Sequence, residues 1–259
     1  MSFSRAQAAD IPALKQLWMT CFGDTKDYVN LYFDHSFSPE QVFVLRAERI
    51  EAMLISFPVT HIAADGEAQQ GAYLYAVCTA PELRGRGLCR ALMQQTEQAL
   101  AAQGCTFTCL KAGGEGLSAM YERMGYQTTF THRELCLSVP ATQFKAEPKL
   151  ISPEHYYALR QFALRGDYID YAPAVLAHQA RLGALFCLDG GAAFGAFERY
   201  GDTLICKEYF GDETLLPALG AQFGAAQVIA RTTGTSPFAM AKPLSSLSCP
   251  KGYLAFAFD

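Results

Sequence analysis

Val77-Cys78-Thr79-Ala80-Pro81-Glu82-Leu83-Arg84-Gly85-Arg86-Gly87-Leu88-Cys89-Arg90 runs from an apolar, strand-like segment through two glycines into a long helical pattern. Ala80-Pro81 ends the strand, and Leu88, Ala91, Leu92, Ala99 and Leu100 then share one side of a helix that stops at Gly104. Successive backbone N–H groups around Gly85 and Gly87 converge at an exposed helix start, where the positive end of the helix dipole favours an anion. Arg84, Arg86 and Arg90 add positive charge, and a side chain at either glycine would hold phosphate oxygens off the amides. The segment predicts a diphosphate-binding loop, the alternative being an ordinary turn with solvated arginines. It is neither of two better-known phosphate loops. A G-x-G-x-x-G fingerprint needs glycine where Arg90 stands, and G-x-x-x-x-G-K-[ST] does not occur.

Upstream, Asp10 stands as a helix N-cap and Pro12 in the first turn. Leu14, Leu17, Trp18 and Cys21 form an apolar stripe, and Gly23 is the stop. A second amphipathic stretch, Tyr28 to Phe37, precedes strand-like Val42 to Ala47, Glu51 to Thr60 and Gly71 to Thr79, which read as an antiparallel meander. Downstream, Thr106 to Leu110 is strand-like. Ala112-Gly113-Gly114-Glu115-Gly116 is a loop, Leu117 to Met124 a short helix closed by Gly125, and Tyr126 opens another strand.

The texture changes near residue 140, where Pro140, Pro148 and Pro153 flank Lys145, Glu147 and Lys149. We therefore expect a first domain over 1–138, a linker over 139–152 and a second domain over 153–259. The second contains helix-like Glu154 to Arg165 and Pro173 to Leu182, then strands Ala184 to Leu188, Ala192 to Tyr200 and Thr203 to Phe210. A helix, Glu213 to Phe223, and strands Ala226 to Thr232 and Tyr253 to Phe258 complete it. The order of the first half recurs, which predicts a duplicated architecture.

The 259 residues are 51% hydrophobic and 18% charged, enough apolar material for a sizeable core, and a net charge of -4 supplies no field to hold a nucleic acid. No apolar run is long enough for a membrane helix and the first residues lack a signal-peptide core, so a cytoplasmic protein with no membrane partner is expected. Nine cysteines without C-x-x-C spacing predict buried, reduced thiols and no metal site.

At this point the sequence resembles the Gcn5-related N-acetyltransferase (GNAT) superfamily, whose pyrophosphate loop reads R/Q-x-x-G-x-G/A. Arg84 and Gly87 match it, while Cys89 departs at the last position, keeping the backbone donor but adding a side chain. The family's second mark, a helix ending Y-x-x-x-G-[FY], is matched by Tyr121-Glu122-Arg123-Met124-Gly125-Tyr126. The finer resemblance is to tandem-domain acetyltransferases of the enhanced intracellular survival type, in which a GNAT-like second half lacks the cofactor loop. Phe210-Gly211-Asp212-Glu213, acidic at the corresponding junction, fits that group; the length leaves no room for the group's third, sterol-carrier-like domain.

The resemblance implies an α/β (α+β) GNAT fold, a mixed and mostly antiparallel sheet flanked by helices, followed by a degenerate GNAT-like half. It implies acetyl transfer from acetyl-CoA, without a metal, to an amine of a small molecule or peptide by direct attack; a non-catalytic CoA-binding sensor and a structural protein are the alternatives. In such an enzyme the strand Tyr73 to Thr79 parts from Thr106 to Leu110. Amides of Val77, Cys78 and Thr79 then serve pantetheine and the thioester oxygen, Gly85, Arg86, Gly87, Leu88, Cys89 and Arg90 hold the diphosphate with Arg84, and Gly116 borders the cofactor. Tyr121 protonates the leaving thiolate, and the terminal carboxylate of Asp259 borders the acceptor pocket. The general base is open: His61 and His132 read better as packed or surface residues. Cys78 as a nucleophile has no histidine in sequence to activate it and reads as a packing residue. Trp18, Tyr28, Tyr32 and Phe33 are candidates for the acceptor wall, although most of them should be core. The acceptor itself and the oligomeric state, a homo-oligomer among the options, are left open.

Overall fold

A computed structural model of the protein describes residues 1–140, 146–256 and 258. The chain falls into two compact units. The first comprises Met1–His61, Ala68–Gln127 and Met240–Pro250; the second comprises Ile62–Glu67, Thr128–Ala239 and the C-terminal residues from Lys251. Neither is the contiguous span expected from sequence, because Met240–Pro250 returns to the first unit. Of the expected linker, 141–145 lie outside the described residues and Lys149–Leu150 is a strand.

The first unit opens with β1 (Ser2–Arg5), α1 (Ile11–Phe22) and α2 (Lys26–His35). It continues through β2 (Val42–Arg46), β3 (Ile50–Ile62), β4 (Ala68–Thr79), α3 (Leu88–Ala101), β5 (Phe107–Leu110) and α4 (Glu115–Glu122). Helix α1 ends where expected, at Gly23 in the left-handed region, whose N–H reaches Met19 O at 2.9 Å. Asp10 sits at its N-cap but caps nothing there. Its carboxylate accepts from Gln7 N and from Arg46, whose guanidinium holds the acid below its ordinary pKa. Strand β2 pairs antiparallel with β1 and β3, β4 pairs with β3, and α3 carries the chain over to β5, which runs parallel to β4. Buried Leu54, Leu74, Leu92, Met93, Leu100 and Tyr126 pack into one cluster, each such side chain contributing about 1.5–3 kcal/mol by leaving water.

Strand β6 (Gln127–Ser138) leads into the second unit, which contains β7 (Lys149–Leu150), α5 (Pro153–Ala163), β8 (Tyr168–Tyr171), α6 (Pro173–Leu182), β9 (Ala184–Leu188), β10 (Ala193–Tyr200), β11 (Thr203–Phe210), α7 (Leu216–Gln222), β12 (Gln227–Pro243) and β13 (Gly252–Tyr253). The expected order of two helices, three strands, a helix and a strand recurs with one departure, strand β8 lying between α5 and α6: β7, β9, β10 and β11 form successive antiparallel pairs, and α7 leads to a parallel strand, as α3 does. Two expectations are corrected. Strand β12 runs to Pro243 rather than Thr232, and the apolar C-terminal run is a strand only at Gly252–Tyr253; the described residues beyond it are buried, with Leu254 N donating to Thr131 O. There Tyr171 Oη donates to Phe256 O at 3.0 Å. Arg160, fully buried on α5, donates from Nε to Glu208 Oε2 at 2.7 Å and from Nη2 to Oε1 at 3.0 Å, a two-point pairing that satisfies both charges away from water.

Met240–Pro243, the end of β12, pairs antiparallel with β5. It brings Lys242 Nζ to Glu97 Oε2 at 2.5 Å, while Tyr126 Oη donates to Glu97 Oε1 at 2.9 Å and lies 2.8 Å from Thr108 Oγ1. Glu97 is buried on α3, so removing its cation leaves a poorly solvated carboxylate. Lys242→Met should therefore lower stability by about 2 kcal/mol, discounted from the fully buried case because Lys242 is partly exposed. A shifted urea midpoint at constant slope is the expected readout; an unmoved midpoint would show the pair to be dispensable.

Candidate active site

The cleft begins where β4 and β5 separate. Their parallel register covers Gly71↔Phe107, Ala72↔Thr108 and Tyr73↔Cys109 and extends no further along β4. Three residues on, Ala76 adopts φ +48°, a left-handed conformation inside a strand. That conformation breaks the alternation of the strand and re-aims the residues that follow. Val77 is half-buried, and Cys78 and Thr79 are buried. This is the parting of strands expected from the sequence.

Beyond β4 a single tight turn, with Leu83 N on Ala80 O at 2.9 Å, delivers the chain to the start of α3. Gly85 at φ +77° and Gly87 at φ +81° are both left-handed, and a Cβ on either would meet nothing within 4 Å. Glycine is thus required first by backbone conformation, and it leaves open space above the loop. The first α3 bond runs from Ala91 N to Gly87 O at 3.0 Å. Among the described residues, the N–H groups of Gly85, Arg86, Gly87, Leu88, Cys89 and Arg90 have no protein acceptor. Arg84, Arg86 and Arg90 are exposed around this row, and Glu82 is already paired with Arg49. The departure at Cys89 is accommodated, since its side chain packs against the core cluster that contains Tyr121, where burial pushes the thiol up.

Tyr121 lies in the last turn of α4, 6% exposed, its ring 5.8 Å from that of Tyr126 in an edge contact. Its hydroxyl has no hydrogen-bond partner among the described residues, and burial raises its pKa, with Cys89 adding to the effect. Tyr121 and three sequence-selected residues, Val77, Leu88 and Cys89, meet in one cluster. Gly116, in the first turn of α4, is exposed with open space at its Cβ position. Asp259 lies outside the described residues.

Along α1, α2 and β4, Trp18, Tyr32 and Phe33 are core residues, whereas Tyr28 is half-buried with its Oη 3.5 Å from Tyr75 Oη. Tyr75, which the sequence reading passed over, immediately precedes Ala76. It packs edge-on against Trp18 at 5.4 Å, and Trp18 Nε1 donates to Asp24 at 2.8 Å. His61 is buried near Phe107 and His132 is stacked on Phe238 at 4.0 Å. Cys21 on α1 is a second residue the sequence reading did not select. Its thiol donates to Thr79 O at 3.4 Å, and the influence of Cys78, aided by Arg84, lowers its pKa to about 6.

The corresponding junction of the second unit is built differently. Gly211 is pressed against Ala193, where an added Cβ would come within 2.4 Å, and the Asp212 carboxylate accepts from Thr214 N at 2.9 Å. Glu213 pairs with Arg133. The helical turn there is capped by the protein's own carboxylate, which occupies the place an anion would take.

Residues 2–129 match the family model of the acetyltransferase (GNAT) domain, and this part of the chain is a GNAT domain. The chain as a whole shares the fold of solved GNAT acetyltransferase structures. A GCN5-related N-acetyltransferase from Anabaena variabilis ATCC 29413 superposes with TM-score 0.70 at 17% identity, covering 94% of this chain and 73% of that one. Eis1 from Mycobacterium abscessus gives TM-score 0.67 at 11% identity over 95% and 74%. A putative acetyltransferase from Pyrococcus horikoshii gives TM-score 0.66 at 15% identity over 99% and 95%. No curated protein matches the chain by sequence. Acyl transfer is the chemistry of this class, and no helix among the described residues is long and apolar enough to cross a membrane.

Proposed function

We propose that the protein is an N-acetyltransferase that uses acetyl-CoA and passes the acetyl group by direct attack to an amine of a small molecule or peptide. The observation that carries this reading is the run of six amides from Gly85 to Arg90 that have no acceptor among the described residues, beside three exposed arginines and with open space at both left-handed glycines. A row of donors at a helix N-terminus suits a diphosphate, so these residues fit coenzyme A. When bound, the coenzyme supplies the acetyl thioester. The amides of Gly85 to Arg90 bind its diphosphate, with Arg84, Arg86 and Arg90 balancing the charge. Those of Val77, Cys78 and Thr79 hold pantetheine and the acyl oxygen, a role worth about 3–4 kcal/mol per donor where acyl-transfer sites have been dissected. Gly116 borders the cofactor from the start of α4.

Tyr121 donates its proton to the departing thiolate. A tyrosine kept neutral by burial and left without a protein acceptor is suited to that step and poorly explained as a packing residue. Tyr28 and Tyr75 wall the acceptor side with Trp18 behind them. The second unit, capped by Asp212, holds no coenzyme. Nine free cysteines fit a cytoplasmic setting.

Titration calorimetry with acetyl-CoA tests the reading. Heat is expected from one site, and at 100 times the dissociation constant the ligand should stabilise the fold by about 2.7 kcal/mol. Thiol release with a panel of amines then separates an enzyme from a protein that only binds the coenzyme. Absence of heat would overturn the proposal, and heat without thiol release under any amine would make this a sensor.

A further inference from the structure

Tyr121 is aimed by packing, since its hydroxyl has no hydrogen-bond partner among the described residues. A large part of that packing is Tyr126. The two rings meet edge-on at 5.8 Å, and the turn that closes α4 joins their backbones, Tyr126 N donating to Tyr121 O at 3.1 Å around Gly125 at φ +93°. The ring of Tyr126 is itself fixed at its far end. Its hydroxyl donates to Glu97 Oε1 at 2.9 Å and lies 2.8 Å from Thr108 Oγ1, and all three residues are buried. Lys242 Nζ, 5.8 Å from the centre of the same ring, donates to the other Glu97 oxygen at 2.5 Å. Burial and the Glu97 charge keep the Tyr126 hydroxyl protonated, so it remains a donor to the carboxylate.

One phenol therefore ties α3 and β5 to the turn after α4, and Lys242 adds the end of β12. Filling the core would require only a ring. A buried polar network whose members are all satisfied does more, because it holds one arrangement against its neighbours.

We propose that Tyr126 is a positioning residue for the transfer, its tethered ring being the surface that aims the Tyr121 hydroxyl at the departing sulfur. The inference rests on the acetyl-CoA reading above and extends it to a residue that acts through Tyr121. Misplacing a reacting group by about 1 Å can cost on the order of 100-fold in rate. Released from Glu97 and Thr108, a ring at position 126 still fills its space but is no longer pinned at its far end, so a smaller loss of about tenfold is expected.

The test compares Tyr126→Phe, Tyr121→Phe and the double variant, each as the full chain. Tyr126→Phe should lower kcat about tenfold, with the amine that gives the wild type its fastest thiol release, while acetyl-CoA affinity by calorimetry stays within about twofold. In the double variant the second substitution should add less than about twofold, since it acts through a hydroxyl already removed. A readout without coenzyme or acceptor is the NMR signal of Tyr121 in protein carrying isotope-labelled tyrosine, identified by its absence from Tyr121→Phe. That signal should broaden or split in Tyr126→Phe. If Tyr126→Phe does not fold, Thr108→Val, which keeps a branched strand residue and removes one of the two tethers, is read by the same measurements in the same directions.

A slow Tyr121→Phe beside a Tyr126→Phe at the wild-type rate, losses that multiply in the double variant, or a Tyr121 signal unchanged in position and width overturns this inference alone. Tyr121→Phe at the wild-type rate, or a wild type that releases no thiol, overturns the transfer reading and takes this inference with it.

Discussion

Gly87→Asp is expected to weaken acetyl-CoA binding by about 100-fold or more, roughly 2.7 kcal/mol, while leaving the fold nearly as stable as before. Position 87 has φ +81°, a region that Asp tolerates better than most residues, and its Cβ would project into open space. The backbone cost of about 1 kcal/mol is offset in part by about 0.3–1 kcal/mol from a negative charge at a helix N-terminus. The melting temperature should therefore move by only a few degrees. Binding has no such compensation, because the carboxylate occupies the anion's place and repels a diphosphate. Gly87→Ala, carrying the strain without the charge, should lose about tenfold or less. The second unit already shows what an acidic residue does at such a junction, since Asp212 turns its carboxylate onto Thr214 N. Wild-type affinity in the Asp variant, measured by calorimetry alongside thermal melts, would remove the diphosphate assignment.

That loop was legible in the sequence because everything it needs is local. Two glycines, the end of a strand and the start of an apolar helical stripe fix the direction of the amides without help from distant residues. Helices α1 and α3 were legible for a similar reason, their buried faces recurring at helical spacing. What local pattern cannot carry is a partner far along the chain. Glu97 on α3 is buried, and its partner Lys242 lies 145 residues further along the chain, so nothing near Glu97 in sequence announces the pair. The sequence pattern of β12 stops at Thr232, since Gly234 and Pro237 punctuate the alternation, whereas the folded strand runs to Pro243. The apolar run after Gly252 was read as a strand. Apolar composition reports burial, and among the described residues past Tyr253 burial is accompanied by a single backbone bond to β6, from Leu254 N to Thr131 O, and no further strand. The bond from Cys21 to Thr79 O was invisible for the same reason as the Glu97 pair: it exists only because α1 packs beside β4.

Tyr121→Phe should lower the turnover of an active preparation by about 100-fold or more, the lower end of what general acid catalysis contributes, without weakening acetyl-CoA binding. The argument rests on what the hydroxyl does not do. It has no hydrogen-bond partner among the described residues, so deleting it removes no folded-state bond, and the ring's edge contact with Tyr126 at 5.8 Å is retained in Phe. A structural role predicts unchanged kinetics and an unchanged or slightly raised melting temperature. An acid role predicts a lower kcat at constant coenzyme affinity, and the loss should shrink for donors whose leaving thiol is more acidic, because a better leaving group needs less protonation. The pH dependence separates the two roles further. Burial raises the Tyr121 pKa above its ordinary value of 10.0, so the proton is present throughout the neutral range, and the wild-type rate should not fall on the alkaline side until well past that value. An alkaline limb near pH 8 that Tyr121→Phe leaves in place would belong to another group, and a variant turning over at the wild-type rate would leave the departing thiolate without its assigned proton donor.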